Sequence, residues 1–197
     1  DQVLVLEQRM RTGGGWQDQI GGLAPGVKCI RTVPVRPLQL QIAAVPLAPE
    51  TRRALEERFV LIFTGQQRLA RNILQIVVER YLRREHRTLE AIRRLTDLAE
   101  EGRAALATGD LEELGRVLRE TWSALQQLTP ECSNPRIDRL FREVEDWALG
   151  GKLAGAGGGG FMGVLAKDKE AADHLRARLA ALDPAIRIFR WSLDDGG

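Results

Sequence analysis

One carboxylate stands inside a short stretch rich in glycine and amide side chains. Residues 13–19 read Gly-Gly-Gly-Trp-Gln-Asp-Gln. Glycines let the backbone approach a ligand closely, and a carboxylate placed there can take a proton from a hydroxyl group. The amides of Gln17 and Gln19 can orient polar groups of a substrate. We predict that Asp18 is a catalytic base. The alternative is that the glycines end a helix and that the Asp18 side chain bonds only main-chain groups of the turn that follows.

A second glycine-rich stretch occupies residues 153–161, which read Leu-Ala-Gly-Ala-Gly-Gly-Gly-Gly-Phe. Consecutive glycines cost roughly 0.5 to 1 kcal/mol each relative to alanine in ordered structure, so a merely connecting loop has no need of them. The stretch predicts close approach of a phosphate, a sugar or another glycine loop. It lacks the Gly-Lys-Ser/Thr of a P-loop, and no strand is predicted before it, as a dinucleotide fingerprint requires. A flexible tether is the alternative.

The two stretches together resemble the GHMP sugar kinases. Residues 153–161 are similar to the third signature motif of that superfamily. Residues 14–19 are similar to its catalytic-aspartate segment, in the form found in L-fucokinases and heptose-phosphate kinases. Matching segments run along the whole chain in order and approximate spacing and are closest to L-fucokinase: Leu6-Glu7-Gln8, residues 12–22, Pro25-Gly26, Thr64-Gly65 and residues 68–72.

The resemblance implies an ATP-dependent enzyme that phosphorylates L-fucose at the anomeric hydroxyl, in the salvage route to GDP-fucose. ATP and Mg²⁺ are the implied cofactors. Asp18 stands where the family has its general base, and Glu7 stands where it has a Mg²⁺ ligand; an ordinary solvated helix residue is the alternative for Glu7. The implied partners are a small sugar, ATP and the rest of the kinase chain upstream of Asp1, with no nucleic acid and no membrane.

The implied substrate-binding residues fall into three groups. Trp16 can instead be a core residue. At least one of Arg68 and Arg71 can instead belong to a basic, solvent-exposed helix face. The candidates are Gly14, Gly15, Trp16, Gln17 and Gln19; Arg68 and Arg71; and Gly155, Ala156, Gly157, Gly158, Gly159 and Gly160.

One departure from the family pattern concerns nucleotide binding. GHMP kinases hold the phosphates mainly with a Gly/Ser-rich loop that precedes the catalytic segment, and this chain has no such loop. We therefore expect the chain to be the C-terminal portion of a longer kinase, to bind ATP weakly or not at all by itself, and to be inactive alone. Two other interpretations stay open: a heptose-phosphate kinase, and a non-catalytic α+β module that associates with proteins through helices in residues 66–128.

Composition sets the outer bounds of these interpretations. The chain has 197 residues, is 44% hydrophobic and 28% charged, and carries a net charge of +2, so no strong field favours nucleic acid or an acidic membrane. Cys29 and Cys132 lie far apart without a Cys/His cluster, which argues against a disulfide scaffold and suits the reducing cytoplasm. Cys29 is predicted to be a buried small side chain. The apolar runs are too short for a membrane span, which predicts a soluble protein.

The elements that must position these residues follow from periodicity. We predict a β-ribbon from strands at 27–33 and 38–45, a helix at 49–58, and a buried strand at 59–63 closed by a turn at Thr64-Gly65. Three helices follow in residues 66–128, with Asp110 as an N-cap. A fourth helix starts at Asn134-Pro135 and runs to about residue 149.

The remaining elements are a strand at 161–166, a helix at 169–182 and a strand at 185–192 with Trp191 packed. This order indicates an α+β fold of the GHMP C-terminal type, in which helices and a helical hairpin insertion cover an antiparallel sheet. We expect residues 1–48 to be the end of the N-terminal domain, with the catalytic segment and the ribbon, and residues 49–197 to be the C-terminal domain with the glycine-rich motif.

Overall fold

The computed structural model describes residues 20–21, 24–33, 35, 39–66 and 71–194, with the side chains of Arg71 and Asn72 left aside. The strands are β1 (Lys28–Val33), β2 (Gln39–Ala44), β3 (Phe59–Phe63), β4 (Ala148–Leu153), β5 (Phe161–Ala166) and β6 (Arg187–Phe189). The helices are α1 (Pro49–Arg58), α2 (Arg71–Leu82), α3 (His86–Thr108), α4 (Leu111–Leu128), α5 (Pro135–Val144) and α6 (Lys169–Leu182).

A four-stranded antiparallel sheet with the order β4-β5-β3-β6 forms the centre of the fold. Side chains alternate between its faces, so Val60 and Ile62 of β3 point into one core, which α5 and α6 cover. Phe59 and Leu165 belong to a second core with α1, α3 and α4. The predicted α+β fold, with helices on an antiparallel sheet, is therefore confirmed.

Helices α3 and α4 form the predicted helical hairpin. Gly109 ends α3 with φ of 76°, and the Asp110 carboxylate accepts a hydrogen bond of 2.9 Å from the Glu113 amide, so the predicted N-cap is confirmed. The hairpin is fastened by an ion-pair cluster, in which Arg94 and Arg116 of the two helices share glutamate partners. The shared partners are Glu101 and Glu120, and Arg116 also pairs with Glu113.

The fourth predicted helix is shorter than expected. Asn134 caps α5 with hydrogen bonds from two main-chain amides, as predicted, but the helix ends at Val144 and a 3₁₀ turn leads into β4. We did not predict β4, because Gly150 and Gly151 indicated a loop. In the fold Gly150 lies against the main chain of Gly115 in α4, a contact that any side chain on Gly150 would block. Tertiary packing thus overrides the weak strand propensity of glycine.

Two smaller predictions also needed correction. The last strand covers only Arg187–Phe189, since β3 offers partners to those residues alone, from Leu61 to Phe63. Cys29 is half-buried rather than buried, because its ribbon, β1 paired with β2, has mostly exposed positions. Trp191 is packed as predicted: its ring meets the Phe59 ring edge-on at 5.2 Å. Among the described residues no helix has the length and apolar character needed to cross a membrane.

Candidate functional site

The glycine-rich loop, residues 154–160, joins β4 to β5 as the tip of a β-hairpin. The Ala154 amide closes the hairpin by donating to the Phe161 carbonyl at 2.8 Å. Positive φ angles occur at Gly155, Gly157, Gly158, Gly159 and Gly160. A strand therefore does precede the loop, contrary to our prediction. A dinucleotide fingerprint is still excluded, because that motif joins a strand to a helix within a parallel sheet.

The middle of the loop is buried against the segment that enters α5. Gly157 shows why glycine is needed: with φ of +85°, a Cβ there would lie 2.6 Å from the Cys132 carbonyl oxygen. The Gly158 amide donates to the same carbonyl, and the Asn134 side-chain amide donates to the Gly158 carbonyl at 3.2 Å. These contacts describe a packed loop rather than a flexible tether.

The turn after β3 holds the other end of the loop. Both the amide and the hydroxyl of Thr64 donate to the Gly160 carbonyl at 2.9 Å, and the Gly160 amide donates to the Gln66 carbonyl at 2.7 Å. Thr64 is fully buried. Gln66 immediately precedes residues 67–70, which include the candidate Arg68. Gln66 therefore contacts the glycine loop through its carbonyl.

Arg136 connects this turn to the start of α5 and the end of α6. Its Nε donates to the Thr64 carbonyl at 2.9 Å, and its Nη1 pairs with the Asp183 carboxylate at 2.8 Å. The pKa of Asp183 is lowered, first by the Ala185 amide that donates to it and then by Arg136. The residue pattern predicts only a turn at Thr64 and a helix at Arg136, and the pairs Thr64-Gly65 and Asn134-Pro135 are its only signals of either position.

Two further groups at the loop have shifted pKa values. Burial raises the pKa of the Cys132 thiol to about 11, which makes it an inert structural cysteine at neutral pH. Burial lowers the pKa of Lys152, whose ammonium donates to the Leu153 carbonyl at 2.8 Å, directly before the loop. Sequence analysis did not single out Lys152. Across the described ranges, no cluster of three His, Cys, Asp or Glu residues could hold a metal ion.

Several predicted site residues lie outside the described residues. They are Glu7, Gly14, Gly15, Trp16, Gln17, Asp18, Gln19 and Arg68. Arg71 opens α2, but its side chain is not described. The convergence of Asp18 and Glu7 with the loop at Gly155–Gly160 therefore stays a prediction. What the structure does bring together is the loop, the turn after β3 and the start of α5.

Known proteins are similar to this chain over regions that span the glycine loop. A family profile described as "GHMP kinases C terminal" matches residues 103–185. The bifunctional fucokinase/GDP-fucose pyrophosphorylase of Arabidopsis thaliana is 47% identical over 194 residues, which cover 97% of this chain and 18% of that protein. The L-fucokinase/L-fucose-1-P guanylyltransferase of Bacteroides fragilis is 32% identical over 99% of this chain and 21% of that protein.

Among solved structures, the mevalonate kinase of L. major in complex with R-mevalonate has the same fold. Its TM-score is 0.69 at 20% identity, over 87% of this chain and 50% of that one. The chain spans about a fifth of the length of the two curated relatives, at 18% and 21%.

Proposed function

Because the chain carries a GHMP kinase C-terminal domain, we propose that it is the C-terminal portion of an ATP-dependent L-fucokinase. The proposed reaction is phosphorylation of L-fucose at its anomeric hydroxyl to give fucose 1-phosphate. The observation that carries the proposal is 47% identity to a fucokinase-containing protein over 97% of this chain. This similarity includes the glycine loop together with the segments that hold it.

In the proposed mechanism Asp18 takes the proton from the anomeric hydroxyl as that oxygen attacks phosphorus. Phosphoryl transfer leaves the protein mainly the tasks of positioning the reactants and compensating charge. ATP would supply the phosphoryl group when it is bound, with ADP as the leaving group. The open positions of the loop are Gly155 and Gly160, where an added Cβ would meet no other atom, and we propose that a phosphate or a sugar approaches the loop there.

Positioning of the loop falls to residues that sequence analysis did not assign to the site. Thr64 and Asn134 fix the two halves of the loop through hydrogen bonds to Gly160 and Gly158. Arg136 ties the Thr64 turn to the start of α5. We propose that this bracing keeps the loop preorganised, so that little conformational entropy is lost when a ligand binds.

The proposal is tested by Asp18→Ala in the complete polypeptide that carries this chain. We expect loss of phosphate transfer to L-fucose with unchanged thermal unfolding, since the base is removed and the fold is kept. Asp173→Ala, which changes an exposed aspartate of α6, is the matched control and should keep full activity. Full turnover by the Asp18 variant would refute its role as the base.

A substrate screen with radiolabelled ATP separates the sugars. L-fucose should be the preferred acceptor over galactose and heptose 7-phosphate. Preference for heptose 7-phosphate would replace fucokinase with the related heptose-phosphate kinase, and transfer to none of the three would favour a non-catalytic module.

The domain boundary and the nucleotide affinity complete the proposal. We place the end of the N-terminal kinase domain at residue 48 and expect Glu7 to bind Mg²⁺. Because the phosphate-binding Gly/Ser-rich loop is not in this sequence, the 197-residue chain should bind ATP weakly. Calorimetric titration checks this, and micromolar affinity would contradict it.

A further inference from the structure

Lys152 places a cation at the base of the glycine loop without an acidic partner among the described residues. Its ammonium donates one hydrogen bond, to the Leu153 carbonyl at 2.8 Å, and burial alone shifts its pKa. A lysine ammonium has three N–H donors, so two remain for another group. A poorly solvated charge is costly unless an anion compensates it.

The side chain points to the sheet face opposite α5 and α6, the face on which the second core packs with α1, α3 and α4. Leu153 is fully buried in the core under those helices, and neighbouring side chains of a strand alternate, so Lys152 lies on the opposite face. Its partner across the ladder is Gly163, which has no side chain and is covered by the Phe59 ring. Phe161, the first residue after the loop, lies on the same face and is 39% exposed. The half-buried Lys152 therefore lies between the second core and the exposed Phe161, which is the end of this face next to the loop.

We propose that Lys152 binds a phosphate group at the glycine loop, donating its two remaining N–H groups to phosphate oxygens. The inference rests on the proposed function, because it takes its ligands from that reaction. L-fucose is neutral, so the anionic groups of the reaction are phosphates: those of the nucleotide and that of the sugar 1-phosphate product. Either source presents the same chemistry to the ammonium.

The test uses the complete polypeptide that carries this chain and compares three variants by calorimetry. Lys152→Met removes the charge and keeps the stem, whereas Lys152→Arg keeps the charge. Lys167→Met is the matched control, because the Lys167 ammonium also donates to a main-chain carbonyl, that of Asp146 at 2.7 Å, but is exposed. ADP and L-fucose 1-phosphate are titrated separately, so the affected ligand identifies the source of the phosphate.

We expect Lys152→Met to weaken binding of at least one of these ligands by about tenfold or more, as loss of a hydrogen bond to a charged group does. Lys152→Arg should retain most of the affinity, and Lys167→Met all of it. Wild-type binding at pH 9 should also take up protons, since a phosphate raises the pKa of the ammonium, and Lys152→Arg should abolish that uptake.

The inference is overturned if Lys152→Met binds both ligands as the wild type does, even where it lowers the melting temperature. If the wild type phosphorylates L-fucose in that case, only the inference fails. If the wild type neither phosphorylates L-fucose nor binds either ligand, the proposed function fails with it.

Discussion

The Thr64 hydroxyl donates a hydrogen bond of 2.9 Å to the Gly160 carbonyl and joins the turn after β3 to the end of the glycine loop. The two residues are 96 positions apart in sequence. The bond therefore forms only when the β-hairpin of β4 and β5 has paired with β3. It couples the shape of the loop to completion of the sheet.

Thr64→Val should lower the free energy of unfolding by about 1 to 2 kcal/mol, because Thr64 is fully buried and valine keeps its shape without the hydroxyl. Denaturant unfolding measures the change. Thr64→Ser should recover most of it. Thr108→Val is the control, since Thr108 is an exposed helix residue whose hydroxyl donates within its own helix. Equal losses of unfolding free energy in the two valine variants would show that the Thr64–Gly160 hydrogen bond adds no particular stability.

Two glycines of the loop should respond differently to alanine. Gly155 and Gly157 both have positive φ, but a methyl on Gly155 meets open space, whereas one on Gly157 lies 2.6 Å from the Cys132 carbonyl oxygen. Gly155→Ala should cost about 1 kcal/mol of stability from its backbone conformation alone. Gly157→Ala should cost about 2 to 4 kcal/mol, because overlap adds to that strain. Similar values in denaturant unfolding would mean that the loop is not held against Cys132.

The two thiols should differ in reactivity toward a disulfide reagent at pH 8. Cys29 is half-buried, whereas Cys132 is fully buried with a pKa raised to about 11. From a usual value of 9.0, this shift lowers the thiolate fraction of Cys132 about a hundredfold, before restricted access is considered. The Cys29 thiol should react quickly, and the Cys132 thiol only when the protein unfolds. Cys29→Ser should remove the fast phase, and a fast phase that persists would contradict burial of Cys132.

Stability should fall in acid through the ion-pair cluster of the helical hairpin. Hydrogen bonds from Arg94 and Arg116 lower the pKa of Glu101 and Glu120. A lowered folded-state pKa stabilises the protein above the usual value of 4.5, and this contribution is lost as pH falls through the folded-state pKa.

Arg116→Met should therefore flatten the dependence of unfolding free energy on pH below about pH 5, relative to the wild type. Because the glutamates are only half-buried, salt should weaken the effect as well. Arg93→Met, at an exposed position of α3, the helix that carries Arg94, provides the control. An unchanged pH profile in Arg116→Met would show that the cluster does not contribute.

Local patterns identified the elements whose cause is local. The caps at Asp110 and Asn134 and the apolar strand β3 follow from residue type and neighbours alone, and all three are confirmed. Strand β4 could not be predicted in this way, because Gly150 has weak strand propensity and is held in the strand by pairing with β5 and by packing on Gly115. The roles of Thr64 and Lys152 were missed for a similar reason, since their neighbours at the loop are set by sheet pairing.

The contact between Gly115 and Gly150 makes helix α4 a spacer for the loop. A methyl on Gly115 would meet the Cβ of Leu149, and one on Gly150 would meet the Gly115 carbonyl oxygen. If one of the two glycines gains a side chain, no substitution at the other can make room for it, because glycine is already the smallest residue. A side chain at either position would push the helical hairpin away from β4. Strand β4, which leads into the glycine loop, would then shift as well.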